Sequence, residues 1–138
     1  MILVDTSVWI DLFADRLTPQ TIRFRDLLDA EQLIGVGDLV TTELLQGARD
    51  DAHARKLLGR LRDYQFVRMV DEKVAVAAAG YYRALRTLGV TVRTTIDTLI
   101  ATRCILDGLP LLYSDRDFDP FVEHLGLASA LDFDTGTR

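Results

Sequence analysis

Twenty-one of the 138 residues are aspartate or glutamate, and four of these acids share one kind of setting: Asp5, Glu43, Asp97 and Asp115. Asp5 follows Ile2-Leu3-Val4, and Asp115 comes just after Leu111-Leu112-Tyr113 and Ser114. Both apolar runs lack polar alternation and read as strands buried on both faces. Glu43 and Asp97 fall in the early turns of helices that begin near Gly37-Asp38 and Thr94. In a parallel α/β layer the carboxyl ends of strands and the amino ends of helices lie on one side, which is also the ligand-binding side. The four carboxylates therefore converge on one cleft. Like charges there repel unless they are protonated, paired with cations or bound to a metal. A set of hard oxygen ligands suits Mg²⁺ or Mn²⁺. Cys104, His53 and His124 are too dispersed to offer a zinc site, and both histidines read as surface residues of helices.

Taken singly, each acid also has an ordinary reading. Asp5 reads equally as a cap on the helix after its strand, with Thr6 and Ser7 as further capping side chains. Glu43 reads as a solvated helical glutamate. Asp97 occupies the third position after Thr94, which is the pattern of a capping box. Asp115, Asp117 and Asp119 crowd into Ser114-Asp115-Arg116-Asp117-Phe118-Asp119-Pro120. Asp119, directly before proline, reads as a helix cap. Asp115 is the stronger site candidate, and the role of Asp117 stays open.

The elements that must position these acids alternate along the chain. After the first strand come helices over residues 7–13 and 20–30, the second opened by Thr18-Pro19. A buried strand over 33–36 leads to the helix capped by Gly37-Asp38 and closed by Gly47, then to a charged helix over 51–63. A shorter third strand, residues 66–70, suits a sheet edge. Helices over 71–88 and 94–106 end at Gly89 and Gly108. The fourth strand is 111–113, followed by a short helix over 120–125 and a fifth strand over 130–133. Strands alternating with helices imply right-handed crossovers and a parallel sheet covered on both sides.

Composition sets the outer limits. With 138 residues and 49% hydrophobic content, one compact domain spanning 1–138 is expected. No apolar run approaches the roughly 20 residues of a membrane span, and the start of the chain does not read as a signal peptide. The single Cys104 excludes an internal disulfide, which fits a cytoplasmic location. A net charge of −5 argues against a non-specific nucleic-acid binder, except that a cation among the acids offsets it locally. All but two of the basic residues, Lys56 and Lys73, are arginine, which suits phosphate contacts. Trp9 and Phe13 are i,i+4 neighbours, for which packing or a dimer contact outweighs base stacking. Tyr81 and Tyr82 suggest a core contact for one and a partner surface for the other.

Four segments, in order and over nearly the whole chain, resemble the PIN-domain ribonucleases. They are Met1-Ile2-Leu3-Val4-Asp5-Thr6-Ser7-Val8-Trp9-Ile10, Thr42-Glu43-Leu44, Ile96-Asp97-Thr98-Leu99-Ile100-Ala101 and Ser114-Asp115-Arg116-Asp117-Phe118. Within that family the chain is most similar to VapC-type toxins of bacterial toxin–antitoxin pairs. The resemblance implies a three-layer α/β/α sandwich whose five-stranded parallel sheet has the order 3-2-1-4-5. It also implies Mg²⁺- or Mn²⁺-dependent endonuclease cleavage of RNA, a homodimer, and inhibition by a cognate VapB-type antitoxin. Carried over residue by residue, it makes Asp5, Glu43, Asp97 and Asp115 the catalytic and metal-binding core, with Asp117 as an additional metal or water contact. Thr6 and Ser114 are the polar residues beside these acids. Gly37-Asp38 departs from the small or proline residues expected before the Glu43 helix.

The expected chemistry is hydrolysis of a phosphodiester by metal-activated water. Arg93 and Arg116, the arginines nearest two of the acids, are the candidate RNA contacts. Two other classes fit an acid-rich α/β chain. A haloacid-dehalogenase-like phosphoryl-transfer enzyme would use Asp5 as nucleophile, but Ser7 occupies the place of its second aspartate. A non-catalytic signalling domain of the receiver type would need a lysine near the acids, and Lys56 and Lys73 both fall on helices elsewhere.

Overall fold

Ile2, Leu3 and Val4 form β1 (Ile2–Val4), and all three are buried, as an unbroken apolar run at the centre of a parallel sheet should be. The computed structural model describes residues 1–132. After β1 come α1 (Thr6–Phe13), α2 (Pro19–Asp29) and β2 (Ile34–Gly37). They are followed by α3 (Asp38–Gln46), α4 (Asp51–Leu61) and β3 (Gln65–Val67), then by α5 (Glu72–Thr87) and α6 (Thr95–Asp107). Strand β4 (Leu111–Leu112), a single 3-10 turn (Arg116–Phe118) and α7 (Asp119–Leu125) complete the order.

The strands are parallel in the order β3-β2-β1-β4, with Leu3 facing Gly35 on one side and Leu111 on the other. The chain steps outward from β1 to β3 and then crosses to the far side of β1 to lay down β4. Right-handed crossovers put α1 to α4 on one face and α5 and α6 on the other. The packing pairs agree: α1 touches α2 and α3, α3 touches α4, and α5 lies along α6. Strand β3, with Phe66 exposed, is the edge strand that its sequence suggested.

The expected fifth strand is corrected. Among the described residues, pairing beyond β4 is one parallel bridge between Leu111 and Ser129. The chain then turns at Ala130, whose carbonyl accepts from Arg23 Nε at 3.0 Å, and among the described residues no ladder extends past this point. Phe133 of that expected strand lies outside the described residues.

The core is continuous through the sheet. Trp9 is 1% exposed, donates from Nε1 to the Val4 carbonyl at 3.1 Å, and packs its ring against Phe13, Phe24 and Tyr64. Packing is thus its role. Tyr81 packs on the core while Tyr82 is partly exposed. Burial raises the Cys104 thiol far above its ordinary value, so it behaves as a small apolar side chain. Among the described residues no helix is long and apolar enough to cross a membrane.

Candidate active site

The turn from β1 into α1 places the first acid. Asp5 is itself the N-cap of α1, as its capping reading had it, while Thr6 and Ser7, the further capping side chains expected, lie inside the helix. Its Oδ2 accepts from the Ser7 N–H at 3.1 Å and from the Ser7 hydroxyl at 2.7 Å. Asp5 is 4% exposed, and burial raises its pKa; the Ser7 and Thr6 donors oppose that rise, while the Glu43 charge adds to it.

Glu43 is brought to the same edge by α3. The start of α3 is tight: a Cβ on Gly37 would lie 2.8 Å from Met69 Cγ, so glycine lets the two segments approach. Asp38 Oδ1 then accepts the Met69 N–H at 3.2 Å, which ties α3 to the chain leaving β3. The Gly37-Asp38 pair thus has a packing reason. Glu43 is half-buried rather than freely solvated, and its Oε1 accepts from the Thr6 hydroxyl at 2.8 Å.

Asp97 stands in the first turn of α6, where its N–H donates to Thr94 Oγ1 at 3.1 Å. The cap expected of Thr94 is present, yet Asp97 is only 8% exposed. Burial is the main cause lifting its pKa from 3.8 to about 6; the charges of Asp5, Asp115 and Glu43 add to it, and the Thr94 hydroxyl partly offsets it. Asp115 follows β4 and caps the 3-10 turn, its Oδ1 accepting from the Asp117 N–H at 2.9 Å. Asp117 Oδ2 takes Arg93 Nε and Nη2, both at 3.1 Å. Arg116 is exposed on the same turn. Asp119 is not the cap it was expected to be: it is the first residue of α7, and its Oδ1 accepts from the Tyr113 hydroxyl at 2.9 Å.

The capping and site readings turn out to be compatible. Asp5, Glu43, Asp115 and Asp117 each engage one carboxylate oxygen in an anchoring bond and keep the other outside it. Asp97, Asp115 and Asp117 each bring one oxygen within 4.8 Å of the others, a spacing that suits a shared cation. They line an open cleft of about 360 Å³ with Glu43, Arg93, Thr94 and Ile96. Asp5 lies outside that triad, buried at the root of β1, and acts on Asp97 through its charge. Ser114 Oγ is buried with no hydrogen-bond partner, an orphaned polar atom beside the acids. This hard-oxygen donor set, together with the orphaned hydroxyl, fits a divalent cation and its water. Sequence reasoning placed Ser7 as a cap and as the residue standing where a phosphoryl-transfer enzyme has its second aspartate; its contact with Asp5 two residues earlier is what that reading missed.

Comparisons with known proteins agree with this fold. Residues 2–122 match the PIN domain. The chain is 36% identical over 132 residues to ribonuclease VapC11 of Mycobacterium tuberculosis, covering 94% of this chain and 98% of that protein. The same identity and coverage hold for a VapC ribonuclease of Mycobacterium bovis. The fold superposes on a chain of VapBC2 from Rickettsia felis, bound to a DNA fragment from their promoter, with a TM-score of 0.75 at 17% identity over 94% and 97% of the two chains. It also superposes on FitAcB from Neisseria gonorrhoeae, with a TM-score of 0.70 at 19% identity over 96% and 100%. With the domain matched over most of its length and relatives this similar from end to end, the chain belongs to the PIN-domain family, in its VapC branch.

Proposed function

We propose that this protein is the endoribonuclease toxin of a toxin–antitoxin pair and cleaves RNA phosphodiester bonds with Mg²⁺ or Mn²⁺. The observation that carries the reading is the convergence of Asp97, Asp115 and Asp117 within 4.8 Å in an open cleft beside the buried Asp5. Asp5, Glu43, Asp97 and Asp115 would hold the cation, and Asp117 would add a ligand or a water contact. Such an ion supplies acidified water and charge stabilisation on the transferring phosphate.

The chain's own residues do the rest. The anchoring bonds from Ser7, Thr6 and the Asp117 N–H fix the carboxylates of Asp5, Glu43 and Asp115, so little reorganisation is needed when charge develops. Arg93 and Arg116 supply positive charge at the lip for the RNA backbone, with Arg93 held ready by Asp117. Asp97 is raised to about 6 and remains mostly ionised at neutral pH, as a ligand must be.

The partners of this reading are a VapB-type antitoxin, which neutralises the toxin, and a second copy of the chain in a homodimer, all in the cytoplasm. Nothing in the geometry favours the phosphoryl-transfer alternative, since Ser7 hydrogen-bonds to Asp5 instead of supplying a second acid. The test is direct: the purified chain should cleave RNA in Mn²⁺ or Mg²⁺ and not in EDTA, and should leave phosphatase substrates untouched. Expression alone should arrest growth, and Asp5→Ala should relieve the arrest at matched soluble levels. Equal toxicity of the two proteins would remove nuclease action as the cause.

A further inference from the structure

Strand β4 is only two residues long, so its ladder with β1 ends at the bond from the Asp5 N–H to the Leu112 carbonyl, 2.9 Å. Past that point the two chains part, one into α1 and the other toward Asp115. A single side chain spans the gap. The Ser7 hydroxyl donates to Asp5 Oδ2 at 2.7 Å and accepts the Ser114 N–H at 3.1 Å, across 107 residues of sequence. A hydroxyl has one proton and two lone pairs. With its proton on a carboxylate and a lone pair taking an amide, Ser7 has a defined orientation, and the short bond to Asp5 is of the charge-assisted kind. Ser114 directly precedes Asp115, so this bridge fixes the buried acid just after β1 relative to the acid after β4.

We propose that Ser7 is a positioning residue that sets the geometry of Asp5 against Asp115, and through it the cation affinity of the cleft. The inference rests on the metal-site reading above. Ser7 touches neither Asp97 nor Asp117 in any hydrogen bond of the site, so its influence passes through Asp5 and the Ser114 backbone. Thr6 cannot replace it, because the Thr6 hydroxyl is committed to Glu43. Other bonds also hold the local fold. The Asp5 cap still receives the Ser7 N–H, and Trp9 Nε1 still anchors α1 to the Val4 carbonyl.

The test measures Mn²⁺ binding by calorimetry, together with kcat and KM for RNA, in the wild type, Ser7→Ala, Ser7→Thr, Asp5→Asn and the double variant Ser7→Ala/Asp5→Asn. Loss of an orienting partner of a ligand should weaken Mn²⁺ binding by about 10–100-fold. Ser7→Ala should therefore bind Mn²⁺ that much more weakly and lower kcat while leaving KM unchanged. Ser7→Thr, which keeps the hydroxyl, should restore both. In the Asp5→Asn background, Ser7→Ala should add no further weakening. Wild-type Mn²⁺ affinity in folded Ser7→Ala overturns the inference, and so does an equal weakening with and without the Asp5 carboxylate. If Ser7→Ala does not fold, Ser7→Thr carries the test: wild-type affinity supports the role, and affinity weakened tenfold overturns it. A wild-type chain that binds no Mn²⁺ overturns the metal-site reading itself, a result distinct from all of these.

Discussion

At the amino end of α6, Asp97 lies close enough to Asp5, Glu43 and Asp115 for their charges to raise its pKa. Toward the carboxyl end of the same helix, acids also gather, but with the opposite outcome. Arg103 pairs with Asp71 and with Asp107, each at 3.1 Å, and donates from Nε to the Met69 carbonyl at 3.0 Å. Asp71 is held below its ordinary pKa, first by the Val74 N–H and then by Arg103. Both clusters sit on a single helix in the same protein. Where the acids serve the fold, the chain supplies a cation; where they converge in the cleft, Arg93 is, among the described residues, the one arginine in contact, and its bonds go to Asp117. Such unbalanced charge costs the folded chain stability, and the proposed cation would give a reason for keeping it.

Catalysis should break this symmetry most sharply. Asp97→Asn should lower RNA cleavage by about 10²–10³-fold or more, the scale of losing one charged group from a preorganised site. Arg103→Met should cleave at the wild-type rate once folded. Near-normal cleavage by a folded Asp97→Asn protein would take that acid out of the site.

Metal comes next. Mn²⁺ at 100 times its Kd should stabilise the wild type by about 2.7 kcal/mol, read as a rise in Tm that grows with the logarithm of concentration. Asp115→Asn keeps an oxygen to cap the 3-10 turn but removes a charge. In EDTA it should melt at or above the wild type, and in Mn²⁺ the order should reverse or the gap should shrink. A difference between the two proteins that ignores metal would sink the shared site.

The structural cluster should respond through stability alone. Arg103→Met breaks three bonds at a mostly buried side chain and should lower Tm by about 5 °C, with or without Mn²⁺.

The last effect is one of pH, and the two clusters should differ in sign. Asp97 titrates at about 6 in the folded chain and at its ordinary 3.8 when unfolded. Between these values the native state binds more protons, so in EDTA its contribution is fully present below pH 3.8 and is lost as pH rises through 6. Asp71, with its pKa lowered, contributes stability above its ordinary value and loses it as pH falls. In melts across pH 4 to 7, Asp97→Asn should therefore gain on the wild type as pH rises. A gap that stays flat would deny the raised pKa.

The acids and the strands that carry them were legible because apolar runs ending in acids are local signals. The run from Ile2 to Val4 announces a central strand, and its Asp5 comes one residue later. The strand expected near Ala130 failed because its competitor is distant in sequence: Arg23 takes the Ala130 carbonyl, and no local pattern encodes that bond. The Asp119 cap failed for a similar reason, since Tyr113 claims its carboxylate. The capping and site readings of Asp5 could not be separated from sequence because they do not compete: the cap uses one carboxylate oxygen and leaves the other outside it. Ser7 was legible as a neighbour of Asp5, but its reach to Ser114 required the fold.

The central place of β1 in the sheet also has a consequence in time. The strand made first is flanked by β2 on one side and, on the other, by a strand that begins only at Leu111. At about 5–20 residues per second, the 107 residues separating Ser7 from Ser114 take roughly 5–20 s to be synthesised. Until then the nascent chain holds Asp5 with no opposing wall, and Asp115 does not yet exist. Asp115, at position 115 of 138, is made only as translation enters about its last sixth, so the proposed cleft is completed by the final crossover.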